Sequence, residues 1–186
     1  MIKLILLDMD GVCADFVGAA AWRYGRDPKV TTWNFPEVEW GLTQKDFWSG
    51  LQGFEFWRGL EHFHYFPGFY WALKTLAEVK FCSSPSRAPQ SLAGKLAWLQ
   101  DRFGEAFGDF IFARDKTPLA RPDVLLIDDS DRNVDEFRKA GGEAICFPQQ
   151  WNRRYNLAGS DAWEIVLDEA KKICKKDLRS WEDMVE

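Results

Sequence analysis

Four clusters of polar residues each follow directly on a short apolar run. Asp8 and Asp10 follow residues 2–7. Ser83 and Ser84 follow 79–82. Arg114, Asp115 and Lys116 follow 110–113, and Asp128 and Asp129 follow 124–127. Chance placement would scatter such groups, so their repeated position carries information that no single one does. If they meet, Asp8, Asp10, Asp128 and Asp129 share one point, and like charges a few ångströms apart cannot all stay ionised without compensation. A hard divalent cation resolves the conflict. Mg²⁺ takes one or two carboxylates and keeps its remaining positions for water and phosphate. Lys116 adds positive charge, and the Ser83 hydroxyl with nearby backbone N–H groups can hold phosphate oxygens. Metal, lysine, hydroxyl and carboxylate together describe a site for phosphoryl transfer.

Such a meeting needs elements that end at one edge. An uninterrupted apolar run reads as a strand buried on both faces, as in a parallel sheet. A fifth run, 144–147, is followed by Pro148-Gln149-Gln150. Helical patterns lie between the runs at 69–78, 91–103 and 133–140, the last ending at Gly141-Gly142, a helix-stop signal. Trp163, Val166, Leu167, Ala170 and Cys174 give one more helical stripe. Strands alternating with helices predict an α/β fold, a parallel sheet with helices on both faces. In such sheets ligands bind beyond the carboxyl ends of the strands. Residues 17–67 break the rhythm. They are rich in Trp, Phe and Gly, hold no strand run, and contain a short helical piece near 43–51. The expected organisation is a core of residues 1–16 and 68–186 with a small helical cap, 17–67, inserted after the first strand.

The chain has 186 residues, 46% hydrophobic and 28% charged, with a formal net charge of −5. That excludes a disordered chain and disfavours a nucleic-acid binder, which needs several phosphates neutralised by Lys or Arg. The 10 Trp and 15 Phe are the abnormal feature, and six of the Trp precede residue 72. Most are expected to be packing, since a small cap needs large side chains to build any core. Cys13, Cys82, Cys146 and Cys174 form no C-x-x-C pair and read as reduced core residues, which points to the cytoplasm. Residues 1–7 are too short for a signal sequence, and no apolar stretch approaches the ~20 residues of a membrane span. His62 and His64 read as polar cap residues, and Lys171, Lys172, Lys175 and Lys176 as a solvated helix face.

These residues, in this order, resemble the haloacid dehalogenase (HAD) superfamily, whose core is a Rossmann-like parallel sheet. The motifs are Asp8-Met9-Asp10-Gly11-Val12, Ser83, Lys116 and Asp128-Asp129. Within it the chain is most similar to the 5′(3′)-deoxyribonucleotidase family. The strings that carry this are Leu7-Asp8-Met9-Asp10-Gly11-Val12-Cys13-Ala14-Asp15-Phe16, Cys82-Ser83-Ser84-Pro85, Lys95-Leu96-Ala97-Trp98, Ala113-Arg114-Asp115-Lys116-Thr117 and Leu126-Ile127-Asp128-Asp129. The family usually has Leu at position 13 and Thr at 83; Ser83 keeps the hydroxyl.

The resemblance implies a phosphatase in which Asp8 is the nucleophile and Asp10 the general acid and base. Asp8, Asp10 through its backbone carbonyl, and Asp128 would hold Mg²⁺, with Asp129 placing a metal-bound water. Ser83, Ser84, Lys95, Arg114 and Lys116 would face the phosphate. Phe16, Phe54, Phe56 and Trp57 would face a nucleobase. Stacking is worth roughly 1–3 kcal/mol per base, and a millimolar site needs about 4, so phosphate and metal must carry most of the binding. The implied partner is a small nucleoside monophosphate, and a dimer of this chain is also implied. A phosphosugar or a 3′-phosphorylated nucleic-acid end is the alternative substrate. A receiver module also uses acids, a hydroxyl and a lysine, but there the acidic pair follows the first strand. Here the pair Asp128-Asp129 follows the fourth run.

Overall fold

In the computed structural model, which describes the backbone of residues 1–182 and the side chains of 1–175, the five apolar runs are the five strands of one sheet. β1 (Leu4–Leu7), β2 (Glu78–Ser83), β3 (Phe110–Phe112), β4 (Val124–Asp128) and β5 (Glu143–Cys146) lie in the order β3-β2-β1-β4-β5, all parallel. β1 is the middle strand, and Leu7 stands abreast of Phe81 on one side and Ile127 on the other. This register delivers Asp8, Ser83 and Asp128 to the same edge.

Side chains alternate between the two faces of a strand, and the burial follows. Ile5, Leu7, Leu125 and Ile127 belong to one apolar cluster, and Leu6, Leu126 and Val124 to the other. The second face is covered by α7 (Asp131–Lys139) through Val134 and Phe137. The first face takes α5 (Phe66–Lys74), α6 (Pro89–Phe103) and α8 (Ala162–Glu182), through Phe69 and Leu73, Trp98 and Leu99, and Val166 and Ala170. α5 starts three residues before the expected 69, because Pro67 in its first turn has no N–H to lose and its fixed φ suits a helix start. α7 likewise starts early, where the Ser130 hydroxyl accepts the Asn133 N–H at 3.4 Å.

Between β1 and α5 the chain forms α1 (Phe16–Tyr24), α2 (Phe35–Val38), α3 (Gln44–Ser49) and α4 (Phe54–Arg58). Asp15 caps α1 by accepting from Gly18 N at 2.8 Å, and Thr43 caps α3 by accepting from Asp46 N at 3.1 Å. This segment has no core of its own. Val17, Phe35, Trp40, Phe47, Leu51 and Trp57 join the buried cluster that includes Ile5 and Leu7. α4 lies directly on α6, and Gly94 permits the approach: a Cβ there would fall 2.6 Å from the Phe54 carbonyl oxygen. No helix among the described residues is long and apolar enough to cross a membrane. Of the C-terminal lysines, Lys172 and Lys175 are exposed and Lys171 pairs with Asp168 at 3.0 Å, while the side chain of Lys176 lies outside the described residues.

Candidate active site

Asp8 leaves β1 still paired to the sheet, its N–H donating to the Ile127 carbonyl at 2.9 Å. The chain then turns sharply, with Cys13 N and Ala14 N both bonded to Met9 O at 2.8 Å. Gly11 sits at φ +76°, and a Cβ there would lie 2.3 Å from Asp129 Oδ2 and 3.1 Å from Trp151 Cζ2. Both the backbone angle and the crowding therefore demand glycine. Gln149, beyond β5, donates its amide to Gly11 O at 2.6 Å and fixes the turn.

Two buried lysines organise the acids. Lys116 Nζ lies 2.6 Å from Asp8 Oδ1 and 2.6 Å from Asp128 Oδ2. Asp128 also accepts from Ser130 N at 2.9 Å and from the Asn133 amide at 3.1 Å on both oxygens. Lys95, on α6, is fully buried and donates to Asp10 Oδ2 at 2.6 Å and Ser83 Oγ at 2.9 Å, with its ammonium 4.9 Å from the Trp57 ring centre. Asp129 Oδ2 accepts from Trp151 Nε1 at 2.8 Å. Asp10 Oδ1 is buried with no hydrogen-bond partner.

Carboxylate oxygens of Asp8, Asp128 and Asp129 lie within 4.8 Å of one another. Burial, resisted by Lys116 and reinforced by Asp128 and Asp10, pushes Asp8 up to about 7. Burial, with Asp128 and Asp8, raises Asp129 well above the carboxylate range. Burial pulls Lys116 down, but Asp128 and Asp8 outweigh it and hold the ammonium charged. Were all four ionised, Asp8, Asp10, Asp128 and Asp129 would face, among the described residues, the two ammonium groups of Lys95 and Lys116 with two negative charges left over, the repulsion that joins burial in raising Asp8 and Asp129. One divalent cation with oxygen ligands matches that excess and that donor set.

An aromatic cleft opens over the same residues. Its floor is Asp10, Gly11 and Asp129, and its walls include Phe16, Trp33, Trp48 and Trp151. Trp48 stacks on Phe16 at 6.2 Å with 21° between the rings, and Trp33 stands 6.5 Å from Trp151. Of the four aromatics expected to face a base, Phe16 alone lines this cleft. Trp57 is sealed behind it, stacked on Phe16 at 5.5 Å with its indole N–H on Leu51 O at 2.7 Å, because its ring is the apolar wall beneath Lys95. Phe56 meets Phe16 edge-on at 6.1 Å, and Phe54 lies against the Arg58 guanidinium.

The remaining expected residues divide. Ser83 and Lys95 join the ionic cluster, whereas Ser84 Oγ donates to the Ala113 carbonyl at 2.9 Å. Arg114 is exposed and lines a polar cavity with Asp115, Thr117, Arg132 and Glu136; Lys116 and Asn133 line it too, but it is Lys116 that turns inward to Asp8 and Asp128. His62 and His64 are exposed, resting on Phe66 and Tyr65. Trp33, Trp48 and Trp151, with the more deeply buried Phe35 and Phe47, are cleft aromatics that sequence reasoning missed. Trp151 had a signal, since it lies just beyond the fifth apolar run, where the other strands carry their polar groups.

Residues 1–176 match the model of the family described as 5′ nucleotidase, deoxy (pyrimidine), cytosolic type C protein. A Chlorobaculum tepidum protein named "Putative 5'(3')-deoxyribonucleotidase" is 28% identical over 190 residues, 90% of either chain. A Bordetella pertussis protein of the same name is 34% identical over 139 residues, 68% of this chain and 73% of that one. Among solved structures, a haloacid dehalogenase-like family hydrolase from Xanthomonas campestris aligns with a TM-score of 0.57 at 13% identity, over 95% of this chain and 94% of that one. The L-2-haloacid dehalogenase of Xanthobacter autotrophicus aligns with a TM-score of 0.51 at 13% identity, over 89% and 88%. These two likenesses establish the fold; the family match goes further. The chain is a HAD-type phosphatase and belongs to the cytosolic type C family of deoxy (pyrimidine) 5′ nucleotidases.

Proposed function

We propose that this protein is a Mg²⁺-dependent phosphomonoesterase that dephosphorylates deoxyribonucleoside 5′- or 3′-monophosphates. The observation that carries this reading is that the acidic cluster and the aromatic cleft share residues. Asp10 and Asp129 belong to both, so a phosphate held at the cluster leaves an attached base among aromatic walls.

In this reading a carboxylate oxygen of Asp8 attacks phosphorus, and the phosphorus–oxygen bond to the nucleoside breaks. Asp10 gives its proton to the departing oxygen. Asp10 lines the cleft; Lys95 anchors its Oδ2, while its buried Oδ1 has no hydrogen-bond partner among the described residues. Asp10 then takes a proton from the water that attacks the phospho-Asp8, and phosphate leaves with Asp8 restored. Lys116 and Ser83 hold phosphoryl oxygens against the charge that builds up. Asp8, Asp128 and Asp129 would hold the magnesium ion, with the Asp10 carbonyl the further ligand implied by the resemblance. When bound, the ion neutralises the excess negative charge at the reacting phosphate.

A substrate panel tests the reading. Phosphate release is expected from dUMP and dTMP well above that from deoxyribose 5-phosphate or a 3′-phosphorylated oligonucleotide, lost in EDTA and restored by Mg²⁺. Equal rates on the base-free ester would remove the nucleotide assignment, and full activity in chelator would remove the metal.

A further inference from the structure

The loop that follows β5 is outside every motif quoted above, yet three of its side chains grip the site from different directions. Gln149 holds the Gly11 carbonyl at 2.6 Å. Asn152 is buried and donates to the Asp129 carbonyl at 2.8 Å and the Phe147 carbonyl at 2.7 Å. Between them, Trp151 donates its indole N–H to Asp129 Oδ2 at 2.8 Å. The same indole lines the aromatic cleft, stands 6.5 Å from Trp33 of the insert, and lies 3.1 Å from where a Cβ on Gly11 would fall. Among the described residues, no other side chain both donates to a carboxylate of the cluster and walls the cleft; Asp10 and Asp129 are the acids themselves.

We propose that Trp151 is a positioning residue that ties the base cleft to the metal-binding carboxylates. Its N–H fixes which Asp129 oxygen points into the cluster, and its ring is the core-side wall on which a base rests opposite Trp33. The cleft half of this inference rests on the nucleotide reading above; the Asp129 half does not. The physical warrant for the first half is that a carboxylate with one lone pair spoken for by a fixed donor loses rotational freedom, and outer partners of metal ligands typically change affinity or activity 10–100-fold when removed. For the second half, an indole presents the largest flat face a side chain offers, and its N–H is already satisfied, so stacking costs it no hydrogen bond.

Two variants separate the halves. Trp151→Phe keeps a ring and loses the donor. Trp151→Leu loses both. Mg²⁺ binding is measured by calorimetry without substrate, and kcat and KM are measured on dUMP and on deoxyribose 5-phosphate. Trp151→Phe is expected to weaken Mg²⁺ binding about ten-fold and to leave the ratio of the two KM values near that of the wild type. Trp151→Leu is expected to weaken Mg²⁺ equally and, in addition, to raise KM for dUMP about ten-fold without a matching rise for the base-free ester. Unchanged Mg²⁺ affinity in Trp151→Phe overturns the Asp129 half. Equal KM rises for both esters in Trp151→Leu overturn the cleft half. If Trp151→Leu fails to fold, Trp151→Met, which likewise lacks both the flat ring and the N–H donor, replaces it with the same reading. A wild-type enzyme that does not prefer dUMP to deoxyribose 5-phosphate sinks the nucleotide reading and the cleft half with it, while the calorimetry still decides the Asp129 half.

Discussion

At the carboxyl end of the sheet, Asp8, Lys95, Lys116 and Asp128 are ionisable side chains and are 7% exposed or less. In the insert, Trp33 and Trp48 are large and apolar and stay 57% and 40% exposed. Both regions invert the ordinary preference, which puts charges outside and tryptophans inside. The inversions have different costs. Buried charge is expensive unless paired, so each acid and lysine of the cluster is held by a specific short bond. An exposed indole costs little, and Trp48 is held by its stack on Phe16, an edge-on contact with Phe47 at 5.0 Å and a hydrogen bond to Gln44 at 3.0 Å. The cluster is therefore rigid and intolerant of change, while the cleft walls are adjustable. In the proposed function, chemistry belongs to the first and selection among substrates to the second.

The sharpest way to break this contrast is Asp8→Asn. Phosphate release is expected to fall by about four orders of magnitude or more, the scale seen when a catalytic nucleophile is removed. The thermal midpoint should not fall, because the amide removes one charge from a cluster with too many of one sign. Activity within ten-fold of the wild type would unseat Asp8 as the nucleophile. A collapsed fold would mean that the charge network is structural first.

Within the insert, a pair of substitutions sharpens the contrast between wall and core. Trp57→Ala removes a fully buried ring and is expected to cost about 3–5 kcal/mol in denaturant unfolding. Trp48→Ala removes a half-exposed ring and should cost under about 1 kcal/mol, yet raise KM for dUMP about ten-fold. If Trp48→Ala destabilised the protein as much as Trp57→Ala, the cleft wall would be core after all. If Trp57→Ala changed KM alone, the base would reach deeper than the geometry allows.

That pair also shows why the sequence spoke clearly of one region and poorly of the other. An Asp that closes an apolar run, as Asp8 and Asp128 do, has no packing explanation, so the fold class, strand positions and acidic cluster were all legible. A Trp in an aromatic-rich segment has two explanations at once. Trp48 and Trp57 look alike along the chain, and only the packing of α4 on α6 decides that Trp57 lies under Lys95 while Trp48 borders the cleft. Lys95 was ambiguous for a related reason. A lysine in a helix pattern is ordinarily solvated, and what buries this one is Asp10, 85 residues away in sequence. Trp151 obeyed the strand-end rule, but a search for ionisable and hydroxyl groups passes over an indole that acts as a donor.

The smallest expected effect tests where the cluster ends. Arg114 and Lys116 leave β3 on the same short stretch, and by residue type both suit a phosphate. Lys116 is buried between Asp8 and Asp128; Arg114 is exposed in a polar cavity that Lys116 and Asn133 also line. An exposed charge acts through solvent, where 0.15 M salt screens it beyond about 8 Å. Arg114→Ala should therefore change kcat/KM for dUMP by less than about two-fold at that ionic strength, with a larger rise in KM at low salt, where long-range attraction of an anionic substrate counts for more. Lys116→Met, by contrast, leaves two buried carboxylates without their shared cation and should abolish turnover at any salt. A ten-fold, salt-independent loss in Arg114→Ala would put its guanidinium on the substrate phosphate. It would also mean that the loop after β3 closes inward when substrate binds, extending the rigid region to a residue that the substrate-free geometry leaves outside it.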